Sequence, residues 1–261
     1  MSKVAVVTGG SSGIGLSTAK MLAKEGYIVY ELSRHGSGFG PVRHITADVT
    51  DEVTLRAAFE AIYEKEGRLD LLVNNAGFGI SGAIEFTSVE DVRHLFDVDF
   101  LGPLCCIQLA LPYLRESRGR IVNVSSMAAL AAIPFQAFYS AAKAAVNSVT
   151  LALINEVRSF GVTVCAVMPG DVRTGFTAAR KKKAHGVDLY GQVIERAVAS
   201  MERDEKNGMS PDTVAKKIVR VATCSHPRPL YVVGLKYRFL NVLIRFLPVA
   251  VATRIIGMMY R

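Results

Sequence analysis

Two side chains one helical turn apart, Tyr139 and Lys143, have the types and spacing of an acid–base pair. Residues four apart on a helix share a face. A free phenol titrates near pH 10, too high for proton exchange at neutral pH, but an adjacent ammonium favours the phenolate and lowers that value. A glycine-rich stretch near the N-terminus, Thr8-Gly9-Gly10-Ser11-Ser12-Gly13-Ile14-Gly15, offers a second chemistry. Its glycines permit a tight turn and close backbone approach, and the free N–H groups of a following helix favour a pyrophosphate. The spacing is Gly-x3-Gly-x-Gly, and taken alone it reads equally well as a plain turn. Roughly 20 residues further on stand Ser33 and Arg34, where an NAD-binding fold carries an acidic residue. A guanidinium there pairs bidentately with a 2′-phosphate, which favours NADP(H) over NAD. Glu31 opposes that assignment, since in a regular strand it shares a face with Ser33, although it lies further from the strand end.

These groups need elements to hold them. Short β-branched apolar runs occupy residues 3–7, 27–32, 69–73, 120–124 and 162–167, with a late one at 230–233. Between them lie stretches with helical spacing at 14–25, 52–66, 89–115 and 137–160, and another near 210–223. Strands apolar on both faces that alternate with helices indicate a parallel sheet covered on each side. Gly26, Gly67, Gly119 and Gly161 each fall just past a helical stretch, where a left-handed cap is expected. The expected architecture is one doubly wound α/β domain with ligands at the C-terminal ends of its strands. The glycine stretch then lies between the first strand and the first helix, and Tyr139 and Lys143 lie on a later helix.

Composition narrows the class. The chain has 261 residues, 50% of them hydrophobic and 21% charged, which suits one large domain and excludes a disordered, collagen-like or disulfide-stapled chain. No run of 18 apolar residues occurs, and the first residues lack the apolar core of a secretory signal, so a cytoplasmic protein is expected. Cys105, Cys106, Cys165 and Cys224 show no CxxC spacing, and the five histidines are scattered, so no metal site is expected. The net charge of +8 is concentrated at the end: no Asp or Glu follows Asp212, whereas nine Lys and Arg do. Such asymmetry suits nucleic acid or an anionic membrane, but no nucleic-acid-binding pattern accompanies it, and nucleic acid is not expected as a partner.

Two further motifs, Asn74-Asn75-Ala76-Gly77 and Tyr139-Ser140-Ala141-Ala142-Lys143, join the glycine turn in an order and at intervals that resemble the short-chain dehydrogenase/reductases over essentially the whole chain. The resemblance implies a single Rossmann-type domain with a C-terminal helical extension, transferring hydride between a nicotinamide cofactor and an alcohol or carbonyl without a metal. It implies a cofactor-binding and catalytic core over 1–170, a substrate loop region over 171–212 and a basic, apolar segment over 213–261. By the same resemblance Gly9, Ser11, Ser12, Gly13, Ile14 and Gly15 cradle the cofactor phosphates. Asp48 and Val49 contact the adenine, Asn75, Ala76 and Gly77 line the adenine-ribose side, and Pro169, Gly170, Val172 and Thr174 hold the carboxamide. Lys143 would donate to the nicotinamide ribose, Ser126 to the substrate oxygen, and Tyr139 would exchange the proton. The helices at 89–115 and 137–160 resemble the family's dimer surfaces, which implies a homodimer or homotetramer.

One position departs from the pattern. In Val98-Asp99-Phe100-Leu101-Gly102, Asp99 stands where the family usually has Asn, a residue that helps position a water in the proton path through the lysine. An ionised carboxylate there would offset the lysine and raise the Tyr139 pKa.

The substrate side is less explicit. Leu130, Ala131, Ile133, Phe135 and Phe176 suggest a lipophilic alcohol or ketone, and equally suit packing. The basic run 180–183 reads as a solvated lid. In the tail, Arg238, Asn241 and Arg245 form a narrow stripe on an otherwise apolar helix over 236–247, and a second apolar segment runs from Pro248 to Met259. The tail resembles those of members acting on steroids, retinoids and other lipophilic substrates. Residues 236–261 suit peripheral contact with a membrane interface, a flap over the pocket, or a subunit contact.

Overall fold

The computed structural model describes residues 2–182 and 187–260. Seven parallel strands form the main sheet: β1 (Val4–Thr8), β2 (Ile28–Ser33), β3 (Val42–Thr46), β4 (Leu71–Asn74), β6 (Arg120–Val124), β7 (Thr163–Pro169) and β9 (Leu230–Val233). Their spatial order is β3-β2-β1-β4-β6-β7-β9. The chain builds outward from β1 to β3, then returns to β4 and builds the other way. The crevice between the ends of β1 and β4 is therefore the topological switch point, where open α/β sheets bind ligands. A second sheet pairs β5 (Ile80–Ser81) with β8 (Lys181–Lys182).

Helices cover both faces. On one side α2 (Glu52–Glu66), α4 (Gly102–Ser117) and α5 (Ala137–Glu156) bury Phe59, Leu114 and Leu153 against Val6, Leu72 and Ile121. On the other, α1 (Gly13–Lys24) and α9 (Pro211–Thr223) bury Leu22 and Ile218 against Val7, Val73 and Val167. Two helical runs, Val89–Ser117 and Ala137–Glu156, are long and apolar enough to cross a membrane, but Cys106, Ile107, Ala110, Leu114 and Leu153 of these runs belong to the core.

The single-domain parallel fold is the expected one, and three local features differ from expectation. Strand β3 was absent from the apolar runs, because Arg43 and His44 interrupt its pattern; as an edge strand it keeps one side solvated and buries Val42. Gly119 is not the left-handed cap of α4. Arg118 takes that conformation at φ 51°, and Gly119 is required for space, since a Cβ there would lie 2.7 Å from the Asp70 carbonyl. The lid also differs. Arg180 is only 4% exposed and pairs with Glu205, and Lys181 joins Gly79 through its backbone N–H. Lys183 lies outside the described residues.

The remaining helices are α3 (Val89–Phe96), α6 (Phe176–Ala179), α7 (Val187–Tyr190), α8 (Val193–Lys206), α10 (Leu235–Phe246) and α11 (Val249–Met259). Between α3 and α4 the helix widens to a π turn over Asp97–Leu101, which sets Asp99 into the interior.

Candidate active site

The glycine turn is shaped by contacts that leave no room for side chains. Gly9 adopts φ 62°, and Asn75 ties the turn to β4 by donating from its side chain to the carbonyls of Thr8 and Gly9. A Cβ on Gly15 would lie 2.2 Å from the Gly9 carbonyl oxygen, so this glycine lets α1 begin directly under the turn. The N-cap Ser12 makes no side-chain cap bond, and the first turn of α1 holds no acidic residue. The helix start thus keeps its N–H groups for an anion.

Glu31 does not compete with Arg34. Its carboxylate is turned into the protein and paired with the His44 ring, and its β-carbon lies against Gly10. Ser33 and the exposed Arg34 instead border the cavity at the end of β2, beside Asp48 and Val49. Asp48 is held by the backbone N–H and hydroxyl of Thr50, and its carboxyl lies below the ordinary value: burial pushes it up, but the Thr50 hydrogen bonds and Arg34 outweigh this.

At the other end of the crevice, a buried chain of hydrogen bonds locks α5 to the sheet. Asn74 donates to Asn123 at 2.9 Å, Asn123 to Thr150 at 2.8 Å, and Thr150 to the Val146 carbonyl at 2.7 Å. This fixes the face of α5 that carries Tyr139 and Lys143. The Lys143 ammonium lies 5.6 Å from the Tyr139 ring centre. Ser126, just past the end of β6, accepts from the Ala128 N–H at 3.1 Å and borders the cavity with Tyr139, whose pKa it lowers.

Asp99 completes the group from behind. One carboxylate oxygen lies 3.0 Å from the Lys143 ammonium, and the other accepts from the Phe78 N–H at 2.9 Å. A Cβ on Gly77 would come within 3.0 Å of Asp99 and 3.2 Å of the Lys143 ammonium, so Gly77 leaves the space the pair occupies. Burial lowers the Lys143 pKa, but the facing Asp99 and Tyr139 more than restore it, and it ends above that of an ordinary lysine. The Asp99 carboxyl is raised, burial outweighing Lys143 and the Phe78 N–H.

Tyr139 carries both expected influences, the lowering by Lys143 and the raising by Asp99, with burial added to them. Burial raises its pKa first, Lys143 and Ser126 lower it, Asp99 raises it further, and the balance is upward. In the protein alone the Lys143 ammonium does not bring the phenol below its ordinary value.

The expected positions converge on one cavity of about 670 Å³. Gly9, Ser11, Ser12, Gly13 and Ile14 border one part. Asn75, Ala76 and Gly77 border its middle, and Pro169, Gly170, Val172 and Thr174 border it with Ser126, Tyr139 and Lys143. Gly15 and Asp99 stand behind the wall, the first supporting the turn and the second supporting Lys143. A nicotinamide dinucleotide fits this donor set: a helix start free of acid, a guanidinium at the β2 end and an ammonium on α5.

Some cavity residues gave no signal in the sequence. Asp171, Asp204 and Glu205 border the cavity, but no spacing on α8 marks the last two. The tail also contributes. The Tyr237 ring packs on Gly170, where a Cβ would come within 2.2 Å of it, and its hydroxyl donates to Asp171. Leu240, Ile256 and Tyr260 complete this wall.

A parallel doubly wound sheet with a glycine turn, and with Ser126, Tyr139 and Lys143 on one cavity, defines a nucleotide-dependent oxidoreductase of the short-chain type. The model of the short chain dehydrogenase family matches residues 3–185, and the chain belongs to that family. It is 39% identical over 229 residues to the 3-ketodihydrosphingosine reductase of Bacteroides thetaiotaomicron, covering 86% of this chain and 85% of that one. Among solved structures it resembles ElxO, determined with NADP bound, at 28% identity and a TM-score of 0.76 over 92% of this chain and all of that one. A short-chain dehydrogenase/reductase from Burkholderia phymatum, determined with NAD, shares the fold at 23% identity and a TM-score of 0.79, over 94% of this chain and 92% of that one.

Proposed function

We propose that the protein is an NADP(H)-dependent oxidoreductase that interconverts a ketone and an alcohol on a long, lipophilic substrate, using Tyr139 as the acid/base. The observation that carries the reading is the single cavity that joins Arg34 and the glycine turn to Ser126, Tyr139 and Lys143. A nicotinamide dinucleotide held there supplies or takes the hydride.

In reduction, the Ser126 hydroxyl donates a hydrogen bond to the carbonyl oxygen and orients it. Tyr139 donates its phenolic proton to that oxygen, which its raised pKa suits, since the neutral phenol is the form required. The Lys143 ammonium opposes the phenolate charge left behind, and Asp99 keeps that ammonium protonated in a buried place. Oxidation runs the same proton in reverse, from the alcohol to the phenolate. Arg34 would hold the 2′-phosphate, and the absence of Glu31 from the cavity wall removes the acidic competitor.

The lipophilic substrate is supported by the apolar part of the cavity lining, to which Ala131, Ile133, Leu240, Ile256 and Phe176, the last in contact with the Tyr139 ring, contribute. A relative named for a ketone on a long alkyl chain, at 39% identity, is consistent with this. The test is kcat/KM for NADPH-dependent reduction across a series of ketones: 3-ketosphinganine, steroid ketones and short diketones. The expected result is a rise with apolar length. Preference for short polar ketones would overturn the substrate reading while leaving the proton chemistry intact.

A further inference from the structure

The tail helices carry more apolar surface than the cavity uses. Helix α10 has no buried residue. Leu235, Phe239, Val242 and Phe246 are 82%, 71%, 53% and 82% exposed. At 3.6 residues per turn these four fall within a stripe about 60° wide. Past the turn at Pro248, Val249 and Val251 are also exposed. A contiguous apolar surface of this kind marks an interaction site.

One border is cationic. Arg238 and Arg245 run along one side of the stripe, and residues 213–261 contain no acidic side chain. Among the described residues neither of these two cations is in an ion pair. We propose that this outer face of α10, with the start of α11, docks in the plane of an anionic lipid bilayer. The apolar stripe enters the acyl boundary, and the basic residues meet the headgroups. At 12 and 11 residues the two helices are too short to span. A second copy of the chain is a poorer occupant. Two-fold pairing on this face would set Arg238 and Arg245 against their own copies with no acidic residue in the segment to receive them.

The opposite side of α10 holds Tyr237 and Leu240, which border the cavity. Docking therefore brings the cavity wall to the lipid surface, and a membrane-dissolved substrate reaches Tyr139 without crossing water. The docking itself does not depend on the substrate reading.

The test is co-sedimentation of the full chain with vesicles of phosphatidylcholine, alone or mixed about 2:1 with phosphatidylglycerol. Binding needs no turnover, so its failure is separable from failure of the proposed activity. Partitioning is expected on the anionic vesicles and is expected to weaken with salt. In R238Q/R245Q it should fall roughly 30-fold. In F239S/F246S it should be lost, with circular dichroism and NADPH binding retained, since neither phenylalanine borders the cavity. No binding to anionic vesicles would overturn the proposal, as would binding unchanged in both variants. A wild-type dimer in sedimentation velocity that F239S/F246S dissociates, without vesicle binding, would assign the face to a second copy instead.

Discussion

The Asp99 carboxylate lies 3.0 Å from the Lys143 ammonium in a place without solvent, Asp99 being 0% exposed. An amide at that position could accept a hydrogen bond from the lysine but could not face it with charge. Lys143 is consequently favoured in its protonated form, and Lys143 and Asp99 act on Tyr139 with opposite signs. Removing either partner would leave the other buried without a counter-charge.

This arrangement predicts a shifted pH profile. Alcohol oxidation requires the phenolate, so its rate climbs with pH up to the Tyr139 pKa. Asp99 raises that pKa. In Asp99→Asn the rising limb of log kcat for oxidation therefore moves to lower pH, with activity retained. An unchanged limb, or one displaced upward, would contradict the coupling.

The proposed NADP(H) preference rests on Arg34. Loss of a charge-assisted contact to a phosphate costs about 1.5–3 kcal/mol, so Arg34→Ala is expected to raise KM for NADPH roughly 10- to 100-fold while changing KM for NADH little. Parallel titrations with the two cofactors read this directly. Equal losses for both would place Arg34 outside 2′-phosphate recognition.

The glycine turn makes a stability prediction. In Gly15→Ala the added methyl meets the Gly9 carbonyl at 2.2 Å and the Asn75 amide at 2.5 Å. Backbone must shift, at a cost of about 1–3 kcal/mol, and the cradle for the phosphates distorts with it. Urea unfolding and NADPH fluorescence titration should both weaken; an unperturbed variant would show that α1 has slack under the turn.

Much of this was legible because its signals are local. The apolar runs of β1, β4 and β7 are buried on both faces, and residues four apart on α5 must share a face. What escaped depends on partners distant in the chain. Strand β3 carries Arg43 and His44, so only its pairing with β2 reveals it. Arg180 reads as one of four adjacent basic residues, and its burial follows from Glu205 on α8. The raised pKa of Tyr139 follows from its enclosure in the cavity wall and from Asp99, neither of which its own spacing with Lys143 shows. The tail combined both cases. Its alternating faces were visible, but which of them would border the cavity was set by the contacts of Tyr237 with Gly170 and Asp171.

The proposed reaction depends on Tyr139 exchanging the substrate proton while NADPH is consumed. The most direct measurement is NADPH consumption with 3-ketosphinganine and steroid ketones by the wild type and by Tyr139→Phe, with cofactor binding followed separately by fluorescence. Turnover is expected in the wild type and a loss of about 10²- to 10⁴-fold in the variant, with NADPH affinity preserved. A phenylalanine variant that reduces the same ketone at close to the wild-type rate would contradict it.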